Sequence, residues 1–140
     1  MRLIAIVMAA SLGLAACGTS PVKLDATTPT PPNRILAFGN PGSGLSTVIV
    51  VRDSGFVGSG VYQALKVDGI WAAKLDTSES VTLYMAPGDH VFGVIPTPNL
   101  FGTHSIYETS LRIEPMRTHY LRISIGAEGT TRIAPTAEVQ

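Results

Sequence analysis

Val61-Tyr62-Gln63-Ala64-Leu65-Lys66-Val67-Asp68-Gly69-Ile70-Trp71-Ala72-Ala73-Lys74-Leu75 (residues 61–75) is the stretch that decides the fold. Two apolar-rich runs flank Asp68-Gly69, and an Asp-Gly pair between such runs is a strong signal for a two-residue hairpin turn. The same grammar repeats outward on both sides. Thr47-Val48-Ile49-Val50-Val51 is a β-branched run, and Val81-Thr82-Leu83-Tyr84-Met85 alternates. Leu111-Arg112-Ile113-Glu114 alternates too, and Leu121-Arg122-Ile123-Ser124-Ile125 places Leu121, Ile123 and Ile125 on one face and Arg122 and Ser124 on the other. Pro87-Gly88-Asp89 separates Val81–Met85 from His90-Val91-Phe92-Gly93-Val94-Ile95, and Pro115 ends the Leu111 run. Gly126 and Gly129 precede a last short run, Thr131-Arg132-Ile133. No window of helical length keeps a 3.6 period without Gly or Pro. The fold class expected is all-β: a single antiparallel β-sandwich of seven or eight short strands, one face of each sheet buried and one wet.

The N-terminal quarter, residues 1–33, has a different composition. Arg2 precedes the apolar run Leu3–Ala10, and small residues lead into Leu14-Ala15-Ala16-Cys17. A charged tip, a short apolar stretch and small residues are the parts of a secretory signal. The apolar run is too short for a bilayer span, which takes about 20 residues. Residues 1–16 are therefore predicted to be a signal peptide and removed. Gly18 to Asn33 (GTSPVKLDATTPTPPN) follows, rich in Pro and Thr without any apolar period. Residues 17–33 are expected to form a flexible tether and residues 34–140 the β-sandwich domain, whose roughly 105 residues suffice for one core.

Leu14-Ala15-Ala16-Cys17 resembles the lipobox of bacterial lipoproteins. That resemblance implies cleavage before Cys17 and lipid on its thiol and its new amino group. Several acyl chains give stable anchoring where one is marginal. The competing account is an ordinary signal that ends near a cysteine; signal, spacing and the uniqueness of the cysteine agree on the first. Cys17 is the only cysteine, so no internal disulfide or cysteine metal cluster forms, and lipidation removes a lone thiol from an oxidising compartment. Gly18, where an Asp would resemble an inner-membrane retention signal, implies the outer membrane with the domain facing the periplasm.

A second resemblance runs through the domain. Thr47–Arg52, Phe56-Val57-Gly58-Ser59, Val67-Asp68-Gly69, Pro87-Gly88-Asp89-His90 and Thr118–Ile123 occur in that order. The chain resembles a family of small bacterial lipoprotein domains of unknown function, similar in style to transthyretin-like and PEGA-type β-sandwiches. The stretch Ile35–Gly44, read as an added strand and Gly-rich loop, departs from that pattern. The resemblance implies a fold and an envelope setting and no activity.

Several sharper readings fail on chemistry. Gly39–Ser46 nearly matches a phosphate loop, but Leu45 stands where the lysine belongs and a strand follows where a helix should begin, so no nucleotide is expected. Ser59 sits between glycines without the G-x-S-x-G elbow. His90, His104 and His119 lack paired metal-ligand spacing, and the carboxylates are dispersed. Cleaved at Cys17, the chain carries nine basic against ten acidic residues with no basic patch, which excludes nucleic acid. No catalytic residue, cofactor or metal is expected.

The loop Pro96–Ser105 is long for a compact β domain, and long loops often bind. Leu100 and Phe101 at its centre, with Trp71 and Tyr107, are the candidate contacts for a partner or ligand. Simple packing competes at each: Leu100 and Phe101 are expected to fold back and plug the open end, and Trp71 to serve as core or edge cover. The function expected is a non-enzymatic, membrane-anchored envelope module that binds a protein partner. The alternative is a periplasmic binder of a small ligand or glycan using Trp71, Phe101 and Tyr107. Replacing Cys17 by Ala is expected to abolish fatty-acid labelling and release the protein from the membrane fraction; persistent membrane association would sink the anchor.

Overall fold

The computed structural model describes residues 18–137, so the expected signal peptide, residues 1–16, and Cys17 lie outside the described residues. Nine strands are formed among those residues: β1 (Thr28–Pro29), β2 (Ser46–Arg52), β3 (Tyr62–Val67), β4 (Ile70–Leu75), β5 (Glu79–Met85), β6 (Gly88–Thr97), β7 (Tyr107–Ile113), β8 (Thr118–Ile125) and β9 (Thr131–Pro135). They build two sheets, ordered β1-β5-β2-β8-β9 and β4-β3-β6-β7. This is the all-β sandwich that the alternating runs predict.

The Asp68-Gly69 turn forms as read: Val67 pairs with Ile70, and both central residues take positive φ (48° and 84°). That is the twist a two-residue hairpin demands. Alternation carries the core. Val48, Val50, Leu83, Leu121, Ile123 and Ile133 of the five-stranded sheet meet Leu65, Val67, Leu75, Phe92, Val94 and Ile113 of the other. A buried aliphatic or aromatic side chain contributes about 1.5–3 kcal/mol, so this apolar sandwich dominates stability.

Three features differ from the sequence reading. The sheets are not wholly antiparallel, because β2 runs parallel to β8 and β1 parallel to β5. Period-two alternation is the same in both arrangements, so it could not tell them apart. Ile35–Gly44 forms no strand; Ile35 makes an isolated bridge to Ala73, and the N–H groups of Leu36 and Ala37 donate to Ala72. These residues cap the outer edge of β4, which would otherwise be open to pairing.

The third difference is the expected tether. Residues 18–33 lie on the sandwich from their first described residue. Thr19 donates its N–H to Ile125 (2.9 Å), Ser20 and Ser54 exchange backbone bonds (2.7 and 3.1 Å), and Arg122 reaches the Val22 carbonyl (3.2 Å). Thr28 and Thr30 then donate to Ser78 (3.0 Å) and Ser80 (2.8 Å), adding β1 to the sheet. A shortage of apolar side chains argues against an independent fold, but here backbone groups and threonine hydroxyls provide the hold.

Arg34 closes this segment. Its guanidinium meets Glu79 with two parallel bonds (2.7 and 2.5 Å) and also reaches the Lys74 carbonyl (3.0 Å). Glu79 is nearly buried and accepts the Asp76 N–H as well (2.7 Å). Bonds to Glu79 outweigh burial and hold the Arg34 guanidinium above its ordinary value. Glu79→Gln is expected to cost about 2 kcal/mol in urea unfolding and to open residues 18–34 to limited proteolysis. An unchanged cleavage pattern would show that the segment is held by β1 alone.

Candidate functional site

Trp71 is where the structure departs most usefully from alternation. Counting by two from Leu75 through Ala73 puts Trp71 on the core side. The β3–β4 register shifts between Leu65 and Lys66, so Leu65 pairs with Ala73 but Lys66 pairs with Trp71. A bulge of this kind re-aims the side chains beyond it. Trp71 turns to the outer face, 44 % exposed, with the Lys66 ammonium 4.5 Å from its ring centroid. Beside it lies a shallow groove of about 400 Å³ walled by Leu36, Ala64, Lys74, Ile95 and Asn99. Ala64, opposite Ile95, keeps its floor low.

Leu100 and Phe101 do not plug the sandwich; they stand 74 % and 86 % exposed. Their loop is braced from within. Asn99 donates its side-chain amide to the His104 carbonyl (2.8 Å), and Gly102 donates its N–H to the Asn99 carbonyl (3.2 Å). Gly102 takes a φ of +60°, which suits glycine. The closure uses backbone and Asn99, which leaves the two apolar side chains at the tip.

Tyr107 opens β7, half exposed, in a cleft of about 360 Å³ with His104, Glu128 and Thr131. β4 and β7 are opposite edges of the four-stranded sheet, three strand spacings or about 14 Å apart. Glu108, paired with Gly93, shares the face of Trp71, so Tyr107 points to the other side. Trp71, Phe101 and Tyr107 therefore line no common pocket.

The histidines are separately engaged. His119 Nε2 accepts the Glu114 N–H (3.0 Å), and His104 sits in the exposed loop. Among the described residues no group of three His, Cys, Asp or Glu gathers as a metal site. His90 bonds Asp68 Oδ2 through Nδ1 (2.6 Å) and the Ala86 carbonyl through Nε2 (2.8 Å). Both partners accept, so both ring nitrogens must donate and the pocket selects the imidazolium.

A polar residue that the sequence reading passed over is Arg52. It is 1 % exposed at the end of β2 and donates to the carbonyls of Val61 (2.9 Å), Leu75 (2.7 Å) and Gly58 (2.7 Å). Burial lowers its pKa, and Asp76 and Glu79 act in the opposite sense. The alternating run β2 ends in an arginine on the core face, which was the available signal. Arg52 fixes the loop 53–61, whose Phe56 is 92 % exposed.

No family model matches the chain, and a search of curated proteins finds no match.

The His90–Asp68 pair gives stability a pH signature. Burial opposes both charges; the bonds from Val91 N–H and His90 nevertheless lower Asp68, and those to Asp68 and Ala86 raise His90. The Asp68 contribution is present above its ordinary 3.8 and lost as pH falls through its lowered folded value. The His90 contribution is present below its ordinary 6.5 and lost as pH rises through its raised folded value. Stability from the pair therefore peaks between these two ordinary values. Asp68→Asn keeps the turn and is expected to remove a maximum of up to about 1 kcal/mol from denaturant midpoints measured across that window. A profile that Asn leaves unchanged would refute the coupling.

Proposed function

We propose that this protein is a lipid-anchored envelope lipoprotein, held on the outer membrane through Cys17, whose β-sandwich is a non-enzymatic module that binds a protein partner. The observation that carries the binding reading is the outward Trp71 with its groove. A solvated sheet face has no reason to turn its only tryptophan to water by a bulge, beside an apolar floor of Ala64 and Ile95. Exposed, rigidly seated aromatics with flanking cations are common anchors of protein interfaces. Lys66 and Lys74 on the rim fit a partner segment with an apolar side chain and acidic neighbours.

The anchor rests on Leu14-Ala15-Ala16-Cys17 and the signal that precedes it. The non-enzymatic reading is supported by the use of His90 and His119 in local bonds, and by the core position of Arg52. The glycan alternative needs its three aromatics on one wall, and their separation counts against it.

Photo-crosslinking from position 36 in intact cells is the test. One envelope protein is expected to be captured, and Trp71→Ala is expected to reduce that capture by tenfold or roughly more, as loss of a central aromatic anchor does. Capture indifferent to Trp71, or none at all while the purified protein binds a saccharide, would overturn the partner reading.

A further inference from the structure

The two ends of the sandwich differ in a way the partner groove does not explain. At one end lie the turns 68–69, 86–90 and 114–117. They carry the ion pairs His90–Asp68 (2.6 Å), Arg112–Asp89 (3.0 Å) and Arg117–Glu114 (2.5 Å), the last two well exposed. At the other end lie the loops 54–61 and 97–106 and the turns 76–78 and 126–130, with Asp76 in a cleft beside Ser59, Tyr62 and Pro98. The two loops, SGFVGSGV and TPNLFGTHSI, contain no Lys, Arg, Asp or Glu, and the two turns carry one acid each, Asp76 and Glu128. Phe56, Leu100 and Phe101 are 92 %, 74 % and 86 % exposed in these uncharged loops.

The chain enters the fold at this same end. A β-carbon on Gly18 would lie 3.3 Å from the Ile125 carbonyl oxygen and 3.5 Å from Ala127 N. Thr19 packs on Gly55, the neighbour of Phe56: a β-carbon there would meet Thr19 Cα at 3.0 Å. A cleft lined by Val57, His104, Ile125 and Gly129 joins both loops to the turn 126–130. One peptide unit spans only about 3.8 Å between Cα atoms, and Thr19 is already fixed by hydrogen bonds. The fold holds the chain from Gly18 onward, the residue next to Cys17 in sequence.

Neither loop is loosely held. Gly58, at φ +74°, lies so close to Ile125 that a β-carbon would meet its Cδ1 at 2.4 Å, and Arg52 grips the Gly58 carbonyl. Asn99 braces the other loop. The apolar tips are presented, not merely unpacked.

We propose that this end of the sandwich, through Phe56, Leu100 and Phe101, inserts into the same phospholipid bilayer that holds the lipid on Cys17. The inference rests on the lipoprotein reading and deepens it: the domain sits directly on the membrane instead of standing off it. Aromatic and leucine side chains at the headgroup boundary gain from burial, and loops without charge lose little hydration there. Without basic residues in these loops, contact does not depend on anionic lipid. The charged end then faces water, and the Trp71 groove lies along the side.

The test uses the full-length lipidated protein, carrying Trp71→Phe, in phosphatidylcholine vesicles with brominated acyl chains. Single tryptophans are placed by Phe56→Trp, Phe101→Trp and, at the charged end, Met116→Trp; Met116 is 98 % exposed. Quenching at 56 and 101 is expected to exceed that at 116 by roughly twofold or more, since insertion reaches about 5–10 Å. It is expected to persist in high salt. Equal, weak quenching at all three positions on lipidated protein would overturn the insertion while leaving the anchor intact. Tips that stay wet in pure lipid but are shielded in native membranes would assign them to a protein partner and overturn it as well. A chain that carries no fatty acid removes both readings.

Discussion

A buried guanidinium has to be surrounded by oxygen, and Arg52 imposes that demand on one whole end of this sandwich. Its carbonyl partners come from the loop after β2, from the entry to β3 and from the end of β4, so one side chain ties the two sheets together. Burying a charge is costly unless its donors are met. Nη1 and Nη2 find carbonyls while Nε has no partner among the described residues, and those carbonyl bonds dictate where Gly58, Val61 and Leu75 must lie. Gly58 in turn sits against Ile125 at the end of β8. The position of the Phe56 loop follows from this chain of contacts rather than from packing of Phe56 itself.

Around that end the N-terminal segment is part of the architecture. Asp53 pairs with Arg122, which also reaches the Val22 carbonyl, and Arg34 pairs with Glu79 at the other margin of the five-stranded sheet. The two pairs clamp residues 18–34 at both extremities with charge-assisted bonds, and β1 fills the space between. An anchor on such a segment transmits its orientation to the domain. A flexible spacer would have left every face of the sandwich equally free to meet a membrane or a partner.

Exposed apolar side chains therefore fall into two groups with separate physical settings. Trp71 and Leu36 flank a groove on a sheet face, bordered by lysines, at the side of the molecule. Phe56, Leu100 and Phe101 crown uncharged loops beside the chain entry. The first arrangement suits a chain segment with directional contacts; the second suits a solvent change. A single partner surface drawn from all of them would have to wrap from the side onto the end.

The sequence by itself determined the strands, the Asp68-Gly69 hairpin and the core faces of β5 and β8. These follow from period-two burial and from turn residues that tolerate positive φ, both local properties of the chain. Tertiary structure alone decided that Trp71 faces outward, because a bulge at Ala72 depends on how β4 registers against β3. It alone placed Leu100 and Phe101 at an exposed tip, since Asn99 and Gly102 close the loop without them. It also turned the expected tether into a sheet edge, because the partners of Thr28, Thr30 and Arg34 come from residues 74–80, some 40 to 50 positions away. Hydrogen bonds between segments that distant leave no periodicity in either one. The proposed anchor at Cys17 is read from the sequence alone, and the way the domain would rest on it is read from the fold.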